Sequence, residues 1–185
     1  MKYIRIKRIL DIIIAFLGIL FLSPLLIILI VLIKIGTNGS IIFKQKRFGQ
    51  NKSYFYIYKF RTMKLDTPKD VPTHLLENPD QWYTEIGKFL RKTSMDELPQ
   101  LFNILKGDMS FIGPRPALWN QYDLIELRDK YNSNRVPVGL TGWAQINGRD
   151  EISLEEKAKL DGEYANNIGF IMDLKCMLKT ILHLI

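Results

Sequence analysis

Residues 12–33 read IIIAFLGILFLSPLLIILIVLI, a stretch without a charged side chain. As one continuous helix it would be roughly 33 Å long, enough to cross the hydrocarbon of a bilayer. Ser23-Pro24 falls at its centre. Pro24 lacks the N–H that would bond the Leu20 carbonyl, and its ring crowds that carbonyl. The Ser23 hydroxyl can turn back onto the carbonyl of Ile19 and help bend the helix. Two arrangements compete: a kinked spanning helix, and a re-entrant helix-break-helix whose two ends share one side of the membrane. Lys2, Arg5, Lys7 and Arg8 precede the apolar block, and Lys34, Lys44, Lys46 and Arg47 follow it. Basic residues on both flanks want the anionic cytoplasmic surface, which favours the re-entrant form. The run is too long for a cleavable signal peptide, and no small-residue cleavage site follows it.

Outside this block the chain reads as soluble protein. Its 185 residues suit one core with an appendage. We divide it into a membrane hairpin over residues 1–38 and a cytosolic domain over residues 39–185. The net charge of +7 admits nucleic acid, membrane or phosphorylated substrates as partners, and the flanking position of the charge favours the membrane. With Cys176 as the single cysteine no intramolecular disulfide is possible, and the isolated His74 and His183 argue against a zinc site.

The soluble part predicts an α/β fold, mostly helical with a small β-hairpin. Ile41–Phe48 and Tyr54–Met63 are rich in β-branched and aromatic residues and flank the turn residues Gly49–Lys52. Alternation places Lys59 and Arg61 on one face of the second strand, opposite Tyr54, Tyr56 and Tyr58. Residues 64–80 read as a loop. Helices are predicted over Trp82–Lys92, from Ser94 onward, from Pro116 to about Tyr131, over Leu154–Asn166 and over Ile168–Ile185. In the last of these Lys175, Lys179 and His183 form a polar stripe, which suits an interfacial amphipathic helix as well as a core helix. Ser94 and Glu97 match a capping box, which by itself would make Glu97 structural. Prolines on both sides fix the backbone around Arg115, and Gly113 leaves room for a ligand. A pre-set guanidinium makes a good phosphate clamp.

The basic set Lys59, Arg61, Arg91, Arg115 and Arg149 accompanies the adjacent carboxylates Asp96 and Glu97. Carboxylates beside cations suit a phosphate-handling site with a divalent metal. There is no Ser-His-Asp or Cys-His set for acyl transfer. A nucleic-acid binder would interleave aromatics with cations on one face, and alternation separates the tyrosines from Lys59 and Arg61, so no nucleic-acid partner is expected.

SMDELPQLFNILKGDMSFIGPRP at 94–116 closely resembles the signature of the bacterial sugar transferase family, the small monotopic phosphoglycosyl transferases. KFRTM at 59–63, GLTGWAQINGR at 139–149, DLK at 173–175 and the Ser-Pro break resemble that family in the same order. The stretch PALWNQYDLIELR after the clamp is similar to capsule-assembly members. The resemblance implies an enzyme at the cytoplasmic face of the bacterial inner membrane. Such an enzyme transfers a phosphosugar from a UDP-sugar to polyprenyl phosphate and releases UMP. Asp96 would be the nucleophile, kept anionic by a nearby helix N-terminus, and Glu97 would hold Mg²⁺. Lys59, Arg61, Arg91, Arg115, Thr141, Gly142, Arg149, Asp161 and Asp173 would bind substrate or support the site, and Ser23 and Pro24 would form the membrane break. Two positions depart from the family: Pro137-Val138 stands where members often have Arg-Pro, and Glu163 where they have tyrosine. The rival reading is a non-catalytic membrane scaffold of the same fold, against which the intact Asp96-Glu97 pair argues.

If both ends of the apolar block face the cytoplasm, cysteines introduced near positions 3 and 38 in a Cys176-free background both resist an impermeant thiol reagent in intact cells. Labelling of the N-terminal one alone would establish a spanning helix.

Overall fold

The computed structural model describes residues 2–37, 39–68, 78–148 and 152–184. The apolar block forms α1 (Lys2–Gly36), helical throughout with Pro24 inside it. The expected helix-break-helix is therefore a continuous helix with one substituted hydrogen bond. The Leu20 carbonyl, deprived of its partner by Pro24, accepts from Ser23 Oγ at 2.8 Å. Ser23 thus serves the carbonyl that the proline orphans, not that of Ile19. Among the described residues α1 is the one helix long and apolar enough to cross a membrane.

One stripe of α1 is buried from end to end: Lys7, Asp11, Ala15, Leu26, Leu29 and Ile33, at the spacing of a single helix face. Ala15 packs with Phe55, Ile57, Ile104, Met109 and Val138. Leu26, Leu29 and Ile33 pack with Phe60 and Leu90. Both halves of α1 thus share cores with the strand that carries Phe55 and Phe60. The opposite side is apolar and open, with Phe21 77% and Ile35 80% exposed.

That strand is β2 (Tyr54–Phe60), antiparallel to β1 (Ile42–Phe48) with Lys44 opposite Tyr58 and Phe48 opposite Tyr54. The predicted hairpin is there, closed by Asn51 and Lys52 at positive φ. Phe55, Ile57 and Lys59 face inward, while Tyr54 and Tyr56 are exposed. Arg61 lies beyond the strand end and does not share the face of Lys59. The outward tyrosines keep company with other cations: Lys46 Nζ sits 4.0 Å from the Tyr54 ring and Lys44 Nζ 5.5 Å from the Tyr58 ring.

The helices follow as α2 (Glu85–Lys92), α3 (Gln100–Lys106), α4 (Tyr122–Lys130), α5 (Trp143–Asn147), α6 (Leu154–Asn166) and α7 (Phe170–Leu184). α2 starts three residues later than predicted because Thr84 caps it, accepting from the Gly87 N–H at 3.0 Å. α4 does not begin at Pro116, since residues 113–117 are held in a loop by distant partners. Parallel β3 (Ser110–Ile112) and β4 (Gly139–Thr141) bring the two glycine-bearing segments together. A Cβ at Gly113 would lie 2.2 Å from the Pro137 carbonyl oxygen, and one at Gly142 would lie 2.0 Å from that of Gly113. These glycines admit neighbouring backbone, so the expected ligand approach at Gly113 is replaced by backbone packing.

Asn103 fastens α3 to the hairpin. Fully buried, it accepts from the Tyr58 N–H at 2.9 Å and donates to the Tyr56 carbonyl at 2.8 Å. Its amide stands in for a third strand along β2. Asn103→Ala orphans both backbone groups and should cost about 2–4 kcal/mol, a fall of roughly 5–15 °C in thermal midpoint. A loss below about 1 kcal/mol would mean that water takes over both groups.

Candidate active site

The chain leaves α2 at Thr93, passes through Ser94 at φ 56°, and makes a single 3₁₀ turn over Met95–Glu97. Pro99 then precedes α3. Ser94 makes no capping hydrogen bond, so the capping box anticipated from S-x-x-E does not form. Its left-handed backbone directs the chain into a tight turn, and Glu97 is released for other partners. Asp96 and Glu97 project from this turn between two helices.

Lys59 arrives from the end of β2. Its Nζ lies 2.6 Å from Glu97 Oε1 and 3.9 Å from Asp96 Oδ2. Arg115 Nη2, from the Pro-Arg-Pro loop, reaches the same Glu97 oxygen at 3.0 Å. Arg91, in the last turn of α2, places Nη1 3.8 Å from Asp96 Oδ2. Three segments thus supply three cations to two carboxylates. Asp96 is 2% exposed, and this burial raises its pKa. Lys59, Arg91 and Arg115 oppose the rise, and the Glu97 charge adds to it. The expectation that a helix N-terminus lowers Asp96 is corrected: the turn is too short to act as one, and burial dominates. Burial also pushes Glu97 up, but Arg115 and Lys59 together outweigh it and hold that carboxyl well below the usual range. Lys59 is lowered, by burial first and then by Arg115, against the pull of Glu97.

Arg47, in sequence only one of the cations that follow the apolar block, also lies near this cluster. Burial, with Arg115 nearby, lowers its guanidinium to about 9 against the pull of Glu97, so it remains charged at neutral pH. The signal was available: Arg47 pairs with Phe55 and so falls on the inward parity of the hairpin, where a charge needs a reason.

The other sequence candidates separate. Arg61 is turned to the start of β1, its Nε donating to the Ser40 carbonyl at 2.6 Å. Thr141 lines the cavity described below, its hydroxyl 2.8 Å from that of Thr180. Gly142 packs on Gly113. Asp161, 1% exposed, gives Oδ2 to Arg128 Nη2 at 2.6 Å. Asp173 joins α7 to α1: its Oδ2 accepts from Lys7 Nζ and Tyr3 OH, both at 2.7 Å, and its Oδ1 lies 2.7 Å from Tyr164 OH. Glu163, the altered position, accepts from the Trp143 indole at 3.0 Å. Arg149 lies outside the described residues.

One cavity of about 730 Å³ opens beside this cluster. Arg91, Asp96, Glu97, Arg115 and Lys157 line its charged part, with Thr141 and Gln145. Leu10 and Ile14 of α1, Leu101 of α3, and Phe170, Met177 and Ile181 of α7 give it an apolar lining, interrupted by Tyr3, Lys7, Asp11 and Asp173. Among the described residues no three carboxylate, histidine or cysteine side chains converge. Any metal bound beside Asp96 and Glu97 would therefore draw on at most these two carboxylates, with its other ligands coming from outside the protein.

The profile of a family described as "Bacterial sugar transferase" matches residues 2–185. The uncharacterized sugar transferase EpsL of Bacillus subtilis is 40% identical over 177 residues, covering 95% of this chain and 85% of that protein. Galactosyl transferase CpsE of Streptococcus agalactiae is 41% identical over 187 residues, covering 95% of this chain and 41% of its own length. UDP-glucose:undecaprenyl-phosphate glucose-1-phosphate transferase of Escherichia coli is 38% identical over 183 residues, covering 95% of this chain and 39% of that protein. The chain thus spans most of EpsL and about two-fifths of the two longer relatives.

Glu97→Gln leaves Lys59 and Arg115 facing a neutral amide. It should cost about 1–3 kcal/mol near neutral pH. Because Glu97 is depressed in the fold, its contribution is complete above the ordinary glutamate value of 4.5 and is lost as the pH falls toward the folded value. Urea unfolding of both proteins should therefore show a gap that closes in acid; a gap independent of pH would refute the charge argument.

Proposed function

The chain belongs to the bacterial sugar transferase family, and from that premise we propose that it transfers a phosphosugar from a UDP-sugar to a polyprenyl phosphate, releasing UMP. The observation that carries this reading is the cavity with two chemistries. Arg91, Arg115 and Lys157 in its charged part fit a sugar-nucleotide diphosphate, and the apolar side chains that α1 and α7 add to its lining fit the first isoprene units of a lipid phosphate. The names of relatives that act on undecaprenyl phosphate support the same acceptor class. The resemblance of the chain to capsule-assembly members, with CpsE among its relatives, supports a role in polysaccharide assembly.

The geometry suits a two-step transfer. An Asp96 carboxylate oxygen attacks the β-phosphorus of the UDP-sugar. The bond from that phosphorus to the oxygen of UMP breaks, and UMP leaves with the electron pair. A phosphate oxygen of the polyprenyl phosphate then attacks the same phosphorus. The bond to Asp96 breaks, the carboxylate is restored, and a polyprenyl diphosphosugar is the product. Burial strips water from Asp96 and sharpens its nucleophilicity, while Lys59 and Arg91 favour its ionised form. Arg115 and Lys59 face the charge that develops on the phosphoryl oxygens. Mg²⁺ would be held by Glu97 with the diphosphate oxygens, where it would neutralise the leaving group.

The acceptor phosphate sits at headgroup depth, so the site has to be held there. Both ends of α1 are fastened to one folded body, Tyr3 and Lys7 to Asp173 and Ile33 to Phe60 and Leu90. A spanning helix would put its ends on opposite sides of ~30 Å of hydrocarbon. The double attachment supports a monotopic arrangement at the cytoplasmic face of the inner membrane. In it the open side of α1 and the exposed Phe170, Ile171, Leu178 and Leu182 of α7 meet lipid.

Purified protein supplied with a panel of UDP-sugars and polyprenyl phosphate should release UMP and form lipid-linked product with at least one sugar. Asp96→Asn preserves size and shape, yet should lower turnover by on the order of 10³-fold or more, since an amide cannot form the phosphosugar adduct. Comparable rates for the two proteins would overturn the assignment of Asp96.

A further inference from the structure

The Pro-Arg-Pro loop cannot bond itself in place, because Pro114 and Pro116 have no N–H. Each carbonyl from 114 to 117 is nonetheless met from a distance. The Pro114 carbonyl accepts from the Gly139 N–H at 2.9 Å, and that of Ala117 accepts from the Phe48 N–H at 2.9 Å. Between them, the Arg115 carbonyl accepts from Arg128 Nη2 at 3.0 Å, and the Pro116 carbonyl accepts from Arg47 Nη1 at 2.9 Å.

The two guanidiniums are themselves fixed. Arg128 is 2% exposed and its Nε and Nη2 both donate to Asp161 Oδ2, at 2.8 and 2.6 Å. Arg47 donates from Nη2 and Nε to Gln45 Oε1, at 2.6 and 3.2 Å. An arginine held by two prongs on one side and spending another N–H on a carbonyl is a rigid strut, since the planar fork sets all three directions together. One strut comes from β1 and the other from α4 and α6, and they close on consecutive carbonyls of the residue pair that carries the Arg115 side chain.

We propose that Arg47 and Arg128, with their supports Gln45 and Asp161, are positioning residues that aim the Arg115 guanidinium at the substrate phosphate. This rests on the proposed phosphosugar transfer. It gives Asp161 a role that needs no contact with substrate, and it gives the buried Arg128 and the half-buried Arg47 a role outside the reaction itself. Lysine at either position keeps the charge but cannot hold the support and the carbonyl in one plane. The loop then tilts, and a misplacement of about 1 Å at the reacting group is worth on the order of 100-fold in rate.

The test is a double-mutant cycle read as kcat/KM for UMP release. Arg47→Lys and Arg128→Lys are each measured with arginine at 115 and in an Arg115→Lys background, with thermal midpoints recorded for every protein. Acting through Arg115, each should lower kcat/KM about 10- to 100-fold with arginine at 115, mostly in kcat. In the Arg115→Lys background, where the two-pronged contact is already lost, each should cost less than about threefold. Equal losses in both backgrounds would overturn the proposal, as would no loss in either. Arg128 is fully buried, so if its variant does not fold, Arg47→Lys and Gln45→Ala on the half-buried strut decide the question alone. Absence of UMP release from the wild-type protein would instead refute the proposed transfer.

Discussion

Two carboxylates next to each other in sequence are buried together here, and the rest of the structure answers that constraint. Asp96 is 2% exposed, and Glu97 lies beside it with most of its surface covered. An uncompensated pair of buried carboxylates would take up a proton or unfold the turn. Compensation comes from Lys59 at 2.6 Å and Arg115 at 3.0 Å from Glu97, and from Arg91 at 3.8 Å from Asp96. These cations stand on a strand, a loop and a helix. None of them reaches the turn unless those three pieces are placed correctly, so the ionic cluster and the tertiary fold specify each other.

The placement is done by polar groups away from the cluster. Asn103 joins the helix after the Met95–Glu97 turn to the strand that carries Lys59. Gly113 and Gly142 let two backbones touch so that the Arg115 loop can lie against β4. Lys7 and Asp173 tie the apolar helix to α7 by a buried ion pair. That last contact connects the apolar helix to the cavity wall, since both residues line the cavity.

How much of this could be read beforehand depended on the kind of signal. The hairpin was legible because aromatic and β-branched residues cluster around the Gly49–Lys52 turn. α6 was legible over Leu154–Asn166, where Ser153 caps the helix by accepting from the Glu156 N–H. The capping box at Ser94 was misread because the pattern S-x-x-E carries no information on φ, and Ser94 takes the left-handed conformation. Lys59, Glu97 and Arg115 are 38 and 18 residues apart, a separation that no periodicity encodes; only the resemblance of whole motifs grouped them. Asp161 stands in a recognisable motif, but its partner Arg128 does not. A buried ion pair across two helices leaves no trace in either helix alone. Arg47 was hidden among the surface cations Lys44 and Lys46, although its strand parity set it apart.

The central claim is that Asp96 takes the phosphosugar before the lipid does. Intact-protein mass spectrometry tests it directly, on enzyme mixed with a UDP-sugar it turns over and with no polyprenyl phosphate present. The account predicts a species heavier by one phosphosugar. It should map to Asp96, be absent from Asp96→Asn, and disappear when polyprenyl phosphate is added. Protein that stays unmodified, while product forms only when both substrates are present, would contradict it. Direct transfer in a ternary complex would then be the mechanism, with Asp96 acting as a base or a metal ligand.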